Sequence, residues 1–380
     1  MKDFVRAGLV GCGNISKIYL NNLTGFLPYV KIVRCYDINK LLMEKSMRQY
    51  GIEGSVSLEH LLVDSNIDMI ICLTPPVAHY DICRRALLRG KHVYVEKTMA
   101  ANFEQGISLF NLAKQEKLFL GCAPDTFLGT GLQTVKSMLK QETYGKPIAC
   151  MFRMSHRGIE SWHPQPDFCY QKEGGGPDFG MGPYYFTNLV ELFGSVTEVT
   201  AFAGAAYPFR EAKSREGKKR KIAVEAPTHL TGSVKFENGV MGTFLFSYDI
   251  GPTTLPNIEI YTTGGTIRGS DPNCFGGEIY FGKENSEIWT CVKPVEGFYE
   301  NCRGLGASEM ARCILEGRPH QSHFANPIMG LHVLEILKAI RCSAETGASI
   351  PVYTRVKRNN LFDSETFSNL KDRGNDFDIH

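Results

Sequence analysis

The sequence has no Cys-x-x-Cys pair, no uncharged run long enough to span a bilayer and almost no charge imbalance, its formal net charge being +2 over 380 residues. Each absence excludes a class of function. Proteins that hold nucleic acid or an anionic membrane surface carry a concentrated basic face, and +2 leaves little to concentrate. Without an apolar run of about 20 residues there is no candidate spanning helix. The 12 cysteines are scattered through apolar patterns such as "MIICLTPP" and "MARCILEG". They lack the ligand spacing of a zinc site and read as buried reduced thiols, so no metal is expected. His332 and Glu335 share a helix face, but nothing nearby in sequence completes a ligand set. The apolar strand pattern begins within a few residues of Met1, which leaves no room for a signal peptide and points to a cytoplasmic protein. The one basic concentration, "REAKSREGKKRK", has no basic companion elsewhere and reads as a solvated loop.

Periodicity supplies the architecture. The first ~120 residues alternate apolar strand patterns with amphipathic helix patterns, from "VRAGLVG" through "VKIVRCYD", "IDMIICLTPP" and "KHVYVEK" to "LFLGCAP". That alternation predicts βαβ units and a doubly wound parallel sheet over residues 1–124. Beyond it the pattern becomes β-rich, with "ENG" and "TGG" as hairpin turns. An α/β domain with a large open, mostly antiparallel sheet is expected over 125–355, followed by a polar tail over 356–380. A length of 380 residues suits two domains.

The first strand runs into "GLVGCGNIS", which opens the first helix. Gly11 permits a tight turn, and Gly13 lets backbone approach a pyrophosphate held on helix N–H groups, with Asn14 and Ile15 completing the turn. Ser16 stands where a third glycine or alanine is common, so the fingerprint is incomplete and gains its weight from its position. Asp37 ends the second strand, where a carboxylate accepts hydrogen bonds from ribose hydroxyls and repels a 2′-phosphate. NAD is therefore expected over NADP. Lys97 ends a later parallel strand, on the carboxyl edge where ligands bind. An ammonium there can hold an alcohol oxygen and stabilise a developing alkoxide.

With "GCGNIS", four further elements occur in order: "TPPVAH", "VEKTMA", "GCAPDTFLG" and the stretch "EGGGPDFGMGPYYF". Together they resemble the glucose–fructose oxidoreductase/inositol dehydrogenase/rhizopine-catabolism (Gfo/Idh/MocA) family, to about residue 350. The run "ESWHPQPDFCYQKEGGGPDFGMGPYY" resembles a glycoside-oxidising branch of it. The resemblance implies a Rossmann domain, a substrate domain whose sheet often makes an oligomer contact, and NAD-linked oxidation of a hydroxyl on a sugar, cyclitol or glycoside. It implies that Thr74, Pro75, Pro76 and His79 line the cofactor. It also puts Glu96 near the nicotinamide ribose and Lys97 near the reacting hydroxyl. Asp125 is expected either on cofactor or sugar, or as the cap of the next helix.

The sequence departs from the family pattern twice. Thr98 replaces the usual proline after the Glu-Lys pair, so this peptide bond is either trans or a non-proline cis bond. After the glycines, Gly180 and Tyr184 stand where an acid and a histidine are usual, so the family's general base cannot be carried over. Lys97, His163, Tyr184 and Asp178 are the candidates for proton transfer. His156, Arg157, Trp162 and Tyr185 are candidates for substrate contact, with core packing the competing reading for Tyr185. The leading expectation is an NAD-dependent oxidoreductase acting on a sugar or glycoside as a homo-oligomer. Oxidation at C3 of a glucoside would prepare aglycone elimination by a separate lyase. An inositol-type dehydrogenase with exchanging NAD, or a non-catalytic sensor of NAD or sugar, are the alternatives.

Overall fold

In the computed structural model, which describes residues 3–163, 165–213, 219–360 and 370, β1 (Val5–Val10) lies inside a six-stranded parallel sheet. It pairs with β2 (Val30–Tyr36) on one side. On the other side, β4 (Met69–Cys72) runs alongside it. β3 (Glu53–Gly54), β5 (His92–Val95) and β6 (Leu120–Cys122) complete the order β3-β2-β1-β4-β5-β6, that of a doubly wound dinucleotide-binding sheet. Central strands covered on both faces are apolar throughout. Met69, Ile70, Ile71 and Cys72 are all fully buried.

The connecting helices are α1 (Ser16–Gly25), α2 (Lys40–Tyr50), α3 (Leu58–Val63), α4 (Pro76–Leu88) and α5 (Phe103–Gln115). Local chemistry sets their ends. Asn39 caps α2 by accepting from Leu41 N–H, and Gly51 ends it in the left-handed conformation at φ 64°. Asn102 caps α5 through Gln105 N–H. β3 and α3 span two and six residues, too short for a periodicity to announce them.

The chain forms two units, the first made of Met1–Gly129, Glu296–Leu331 and Asn359–His380 and the second of Thr130–Val295 and His332–Arg358. The division differs from a single cut after 124. The segment 296–331 returns to the first unit because α8 (Leu305–Leu315) packs on β1, β2 and β6. Of the polar tail expected over 356–380, residues 361–369 and 371–380 lie outside the described residues.

The second unit opens with α6 (Thr130–Met138), β7 (Pro147–Ser155) and α7 (Pro177–Phe193). β8 (Val196–Gly204), β11 (His229–Phe236) and β12 (Met241–Ser247) follow. β13 (Ile258–Thr262), β14 (Gly265–Gly269), β15 (Tyr280–Lys283) and β16 (Trp289–Cys291) come next. α9 (Pro327–Thr346) leads to β17 (Ile350–Pro351). Nine strands form one sheet in the order β16-β15-β14-β13-β7-β12-β11-β8-β17. Neighbours are antiparallel except β7 and β12, which run parallel from Met241↔Ala149 to Ser247↔Ser155. Along β7, Cys150, Phe152 and Met154 are buried while Met151 is exposed, so one face of the sheet is core. That core holds Phe152, Phe186 of α7, and Phe244 and Phe246 of β12, with Phe152 edge-on to Phe186 at 5.5 Å. Each such side chain contributes roughly 1.5–3 kcal/mol by leaving water. The ends of the basic run form a separate hairpin, β9 (Phe209–Lys213) with β10 (Lys219–Ala223). Residues 214–218 of that run lie outside the described residues.

Candidate active site

In the first unit, Gly11 turns the chain at φ 97°, where a Cβ would sit 2.9 Å from the Leu73 carbonyl carbon. A Cβ at Gly13 would meet nothing within 4 Å, so an anion can approach the backbone there. Ile15 provides no side-chain cap for α1, whose first N–H groups are thus not claimed by a capping side chain. Ser16 is accommodated because its hydroxyl folds back onto the Gly13 carbonyl at 2.7 Å. Asp37 accepts from Cys12 N–H and Asn39 N–H, each at 2.7 Å, which leaves each carboxylate oxygen lone-pair capacity for ribose hydroxyls. The open position at Gly13, the uncapped helix start and the strand-end acid fit a dinucleotide carrying a free ribose diol.

The turn after β4 holds Thr74, Pro75 and Pro76, with Pro76 at the first position of α4. His79 follows one turn into α4. Its ring is fully buried, with Nδ1 2.7 Å from the Thr98 carbonyl and Nε2 2.7 Å from the Thr74 carbonyl. Glu96 is buried after β5; its carboxylate accepts from Tyr19 Oη at 2.8 Å and from Lys97 N–H at 3.0 Å. The Lys97–Thr98 peptide bond is cis, which decides the alternative left open by the missing proline. Lys97 itself is half-buried.

Asp125 makes no side-chain cap on the helical turn that follows it. It accepts from Gly304 N–H at 2.9 Å and Gly306 N–H at 3.0 Å and so caps α8, 179 residues further on. Burial pushes its carboxyl up to about 6, partly opposed by those N–H bonds.

In the second unit, α7 begins at Pro177, so all of "PDFGMGPYYF" is helix rather than loop. Pro177 suits the first helical position, whereas Pro183 inside the helix forgoes a backbone donor. Asp178 is fully buried and paired with Arg341, whose Nε and Nη2 each donate at 2.6 Å. Arg341 also donates to the Gly175 carbonyl at 2.7 Å. Asp178 therefore anchors the glycine segment to α9, and no lone carboxylate stands at the helix start. Tyr185 is also core: its ring stacks with Phe152 and meets Phe246 edge-on at 5.4 Å. Tyr184 is buried one turn beyond Gly180.

Gly180 has a reason that the sequence did not disclose. A Cβ there would lie 2.2 Å from Tyr248 Oη. The hydroxyl of Tyr248 thus fills the place that the family's acid would enter. Burial holds its pKa well above the usual value, so it stays a neutral donor. Tyr248 follows β12 and His156 follows β7, at adjacent carboxyl ends of the parallel pair, with rings 5.0 Å apart.

The two histidines here have opposite hydrogen-bond roles. His156 Nδ1 lies 3.1 Å from the Gly158 carbonyl, which can only accept, so Nδ1 carries the hydrogen and Nε2 is the acceptor. His163 Nδ1 accepts from Gln165 N–H at 3.1 Å, so in the neutral ring Nε2 carries the hydrogen and donates. Burial lowers the pKa of both rings. In their neutral forms His163 therefore presents a donor at Nε2 and His156 an acceptor. Trp162 is 64% exposed and edge-on to His163 at 5.4 Å; Arg157 is also exposed.

His332 and Glu335 prove structural. His332 bridges Val196 N–H and the Thr354 hydroxyl, and Glu335 accepts from Tyr353 and Thr354 N–H. Among the described residues, no group of three or more His, Cys, Asp or Glu is placed to hold a metal, and no helix is long and apolar enough to cross a membrane.

Comparison with known proteins matches residues 5–123 to a family model described as an oxidoreductase family with an NAD-binding Rossmann fold. Residues 132–268 match the GFO/IDH/MocA C-terminal domain. Among curated relatives, an uncharacterized oxidoreductase of Schizosaccharomyces pombe is 28% identical over 38% of this chain and 39% of its own. YdgJ, an uncharacterized oxidoreductase of Escherichia coli, is 25% identical over 53% of this chain and 57% of its own. The scyllo-inositol 2-dehydrogenase (NAD(+)) of Bacillus subtilis is 32% identical over 28% of this chain and 31% of its own. The chain thus spans between about a third and rather more than half the length of these relatives. Two solved structures share the fold at low identity. An NAD-binding oxidoreductase from Klebsiella pneumoniae has a TM-score of 0.77 at 19% identity, covering 92% of this chain and 99% of its own. Levoglucosan dehydrogenase in complex with NADH has a TM-score of 0.76 at 18% identity, with coverages of 92% and 99%.

Proposed function

The chain belongs to the Gfo/Idh/MocA family of NAD-binding oxidoreductases, and from that premise we propose that it oxidises a secondary hydroxyl of a sugar, cyclitol or glycoside. The observation that carries the reading is Lys97, at the carboxyl edge of a parallel sheet whose first turn and strand-end acid fit NAD. Bound NAD supplies a hydride acceptor, C4 of its nicotinamide. The Lys97 ammonium binds the hydroxyl oxygen and stabilises the alkoxide as the C–H bond gives up its hydride. The hydroxyl proton needs a neutral acceptor, and the second unit offers one in His156, whose Nε2 carries no hydrogen and whose lowered pKa keeps the ring neutral near neutral pH. His163 donates to a substrate oxygen from Nε2.

Within that class we favour a glycoside oxidised at C3. The exposed Trp162 ring, edge-on to His163, offers an apolar face to a sugar ring or aglycone. A C3 ketone acidifies the neighbouring C–H, so a separate lyase can then eliminate the aglycone from C1. A cyclitol substrate is the second reading, favoured by the stretch shared with scyllo-inositol 2-dehydrogenase. We place the enzyme in the cytoplasm as a homo-oligomer, with the outer sheet face, where Met151, Phe202 and Met241 are exposed, as the contact between copies.

The test is a panel of inositols, free sugars and glycosides presented to the purified protein with and without added NAD, with NADH followed by absorbance and product carbonyls mapped by NMR. Oxidation of a glycoside at C3 supports the favoured reading, and turnover of inositols alone supports the second. NAD binding without oxidation of any polyol contradicts both.

A further inference from the structure

The geometry points to His79 as a positioning residue for Lys97, not a cofactor contact. The inference rests on the reading of Lys97 as the group that holds the reacting oxygen. β4 and β5 are parallel neighbours in register at Cys72↔Val95, so the turns that follow them leave adjacent strand ends. One turn ends in Thr74 and the other contains Glu96, Lys97 and Thr98. The fully buried imidazole of His79 lies between them, 2.7 Å from the carbonyl of Thr74 and 2.7 Å from that of Thr98. Both neighbours can only accept, so the ring donates to one carbonyl when neutral and to both only as the imidazolium, and in either form it stands between the two turns.

The other side of Lys97 is tied as well. Its N–H donates to Glu96 Oε2 at 3.0 Å, and Glu96 Oε1 takes the hydroxyl of Tyr19 at 2.8 Å. Tyr19 belongs to α1, the helix that follows the glycine turn. The backbone carrying Lys97 is therefore fixed at its own N–H from α1 and at the next carbonyl from α4. The two elements that fix Lys97 are the ones that frame the cofactor turn. A brace of this kind sets where the ammonium stands, and a misplacement of about 1 Å in such a group costs on the order of 100-fold in rate.

The experiment compares wild type, His79→Leu and His79→Gln, glutamine keeping an N–H donor of similar reach. Three readouts are taken: the rate at which an amine reagent labels Lys97, mapped by mass spectrometry; the affinity for NAD; and kcat and KM with the best polyol. In His79→Leu we expect Lys97 to label at least about fivefold faster and kcat to fall by about 100-fold, with NAD affinity near wild type. Glutamine should recover part of both effects. If leucine prevents folding, His79→Gln decides, since it should still show faster labelling and a lower kcat. Labelling that is unchanged or slower in a folded variant overturns the inference. So does a loss of NAD affinity that by itself accounts for the loss of activity, because the ring would then be a cofactor contact. The labelling readout needs no substrate, so failure of the polyol panel and failure of this inference are separable.

Discussion

Arg341→Met should destabilise the protein severely, while Asp178→Asn should do so mildly and leave the chemistry intact. Asp178 is fully buried, and its charge is met by two guanidinium bonds of 2.6 Å. Removing the arginine strands that carboxylate away from water, which costs about 3–5 kcal/mol when one member of a buried pair is lost. At about 2–4 °C per kcal/mol for a unit of roughly 150–250 residues, the melting temperature should fall by roughly 6–20 °C. Asparagine keeps the shape and removes the charge. It leaves Arg341, whose side chain is 20% exposed, partly solvated, so the loss should be about 1–3 kcal/mol. Thermal unfolding by circular dichroism gives the stability, and NADH formation well below the melting range gives the activity. The reasoning would be refuted if Asp178→Asn melted like wild type yet lost activity by about 100-fold, the mark of a proton-transfer group.

Three other outcomes follow from buried groups. His92 and His332 are each held down to about 4 and His323 to about 3, mainly by burial. With folded values below the unfolded one, the stability that comes from keeping these rings neutral is fully present above about pH 6.5. It is lost as pH falls towards 4, by up to about 3 kcal/mol per ring. Urea midpoints measured between those limits should fall less steeply in His332→Gln, and parallel curves would contradict the assignment. Lys136 and Glu191 form a buried pair at 2.7 Å, so Glu191→Leu should cost about 3–5 kcal/mol while Lys136→Met with Glu191→Leu recovers most of it; a double variant no better than the single one would count against the pair. Gly180→Asp should fold poorly because its Cβ would meet the Tyr248 hydroxyl, and Tyr248→Ala should restore soluble folded protein in the double variant. A well-folded Gly180→Asp single variant would remove that explanation of the glycine.

What the sequence disclosed was local. The alternation of apolar strands and amphipathic helices announced the parallel sheet, and an NAD-binding domain was legible because Gly11, Gly13 and Asp37 each lie within one strand, turn or helix start. The ENG and TGG turns likewise join the antiparallel pairs β11–β12 and β13–β14. What stayed hidden depends on partners far along the chain. Asp178 looked like a proton-transfer candidate until Arg341, 163 residues away, came into contact with it. Asp125 caps a helix that begins 180 residues later, so no neighbour in sequence marks it. His79 sits in a motif that suggests the cofactor, yet its ring is turned onto two carbonyls. The helix start at Pro177 was masked by the glycines and by Pro183, residues that ordinarily end helices. Gly180 looked like a simple loss of an acid; only the pairing of β7 with β12 brings Tyr248 to the space it leaves.

The central claim is that this chain moves a hydride from a polyol carbon to NAD with Lys97 holding the oxygen. The most direct measurement is a single turnover, mixing NAD-loaded protein with the best substrate from the panel and following NADH absorbance in wild type and Lys97→Ala. The account predicts a burst of NADH in wild type and a rate lower by about 100-fold or more in the variant, with NAD still bound. NADH formation at the wild-type rate in Lys97→Ala would contradict it.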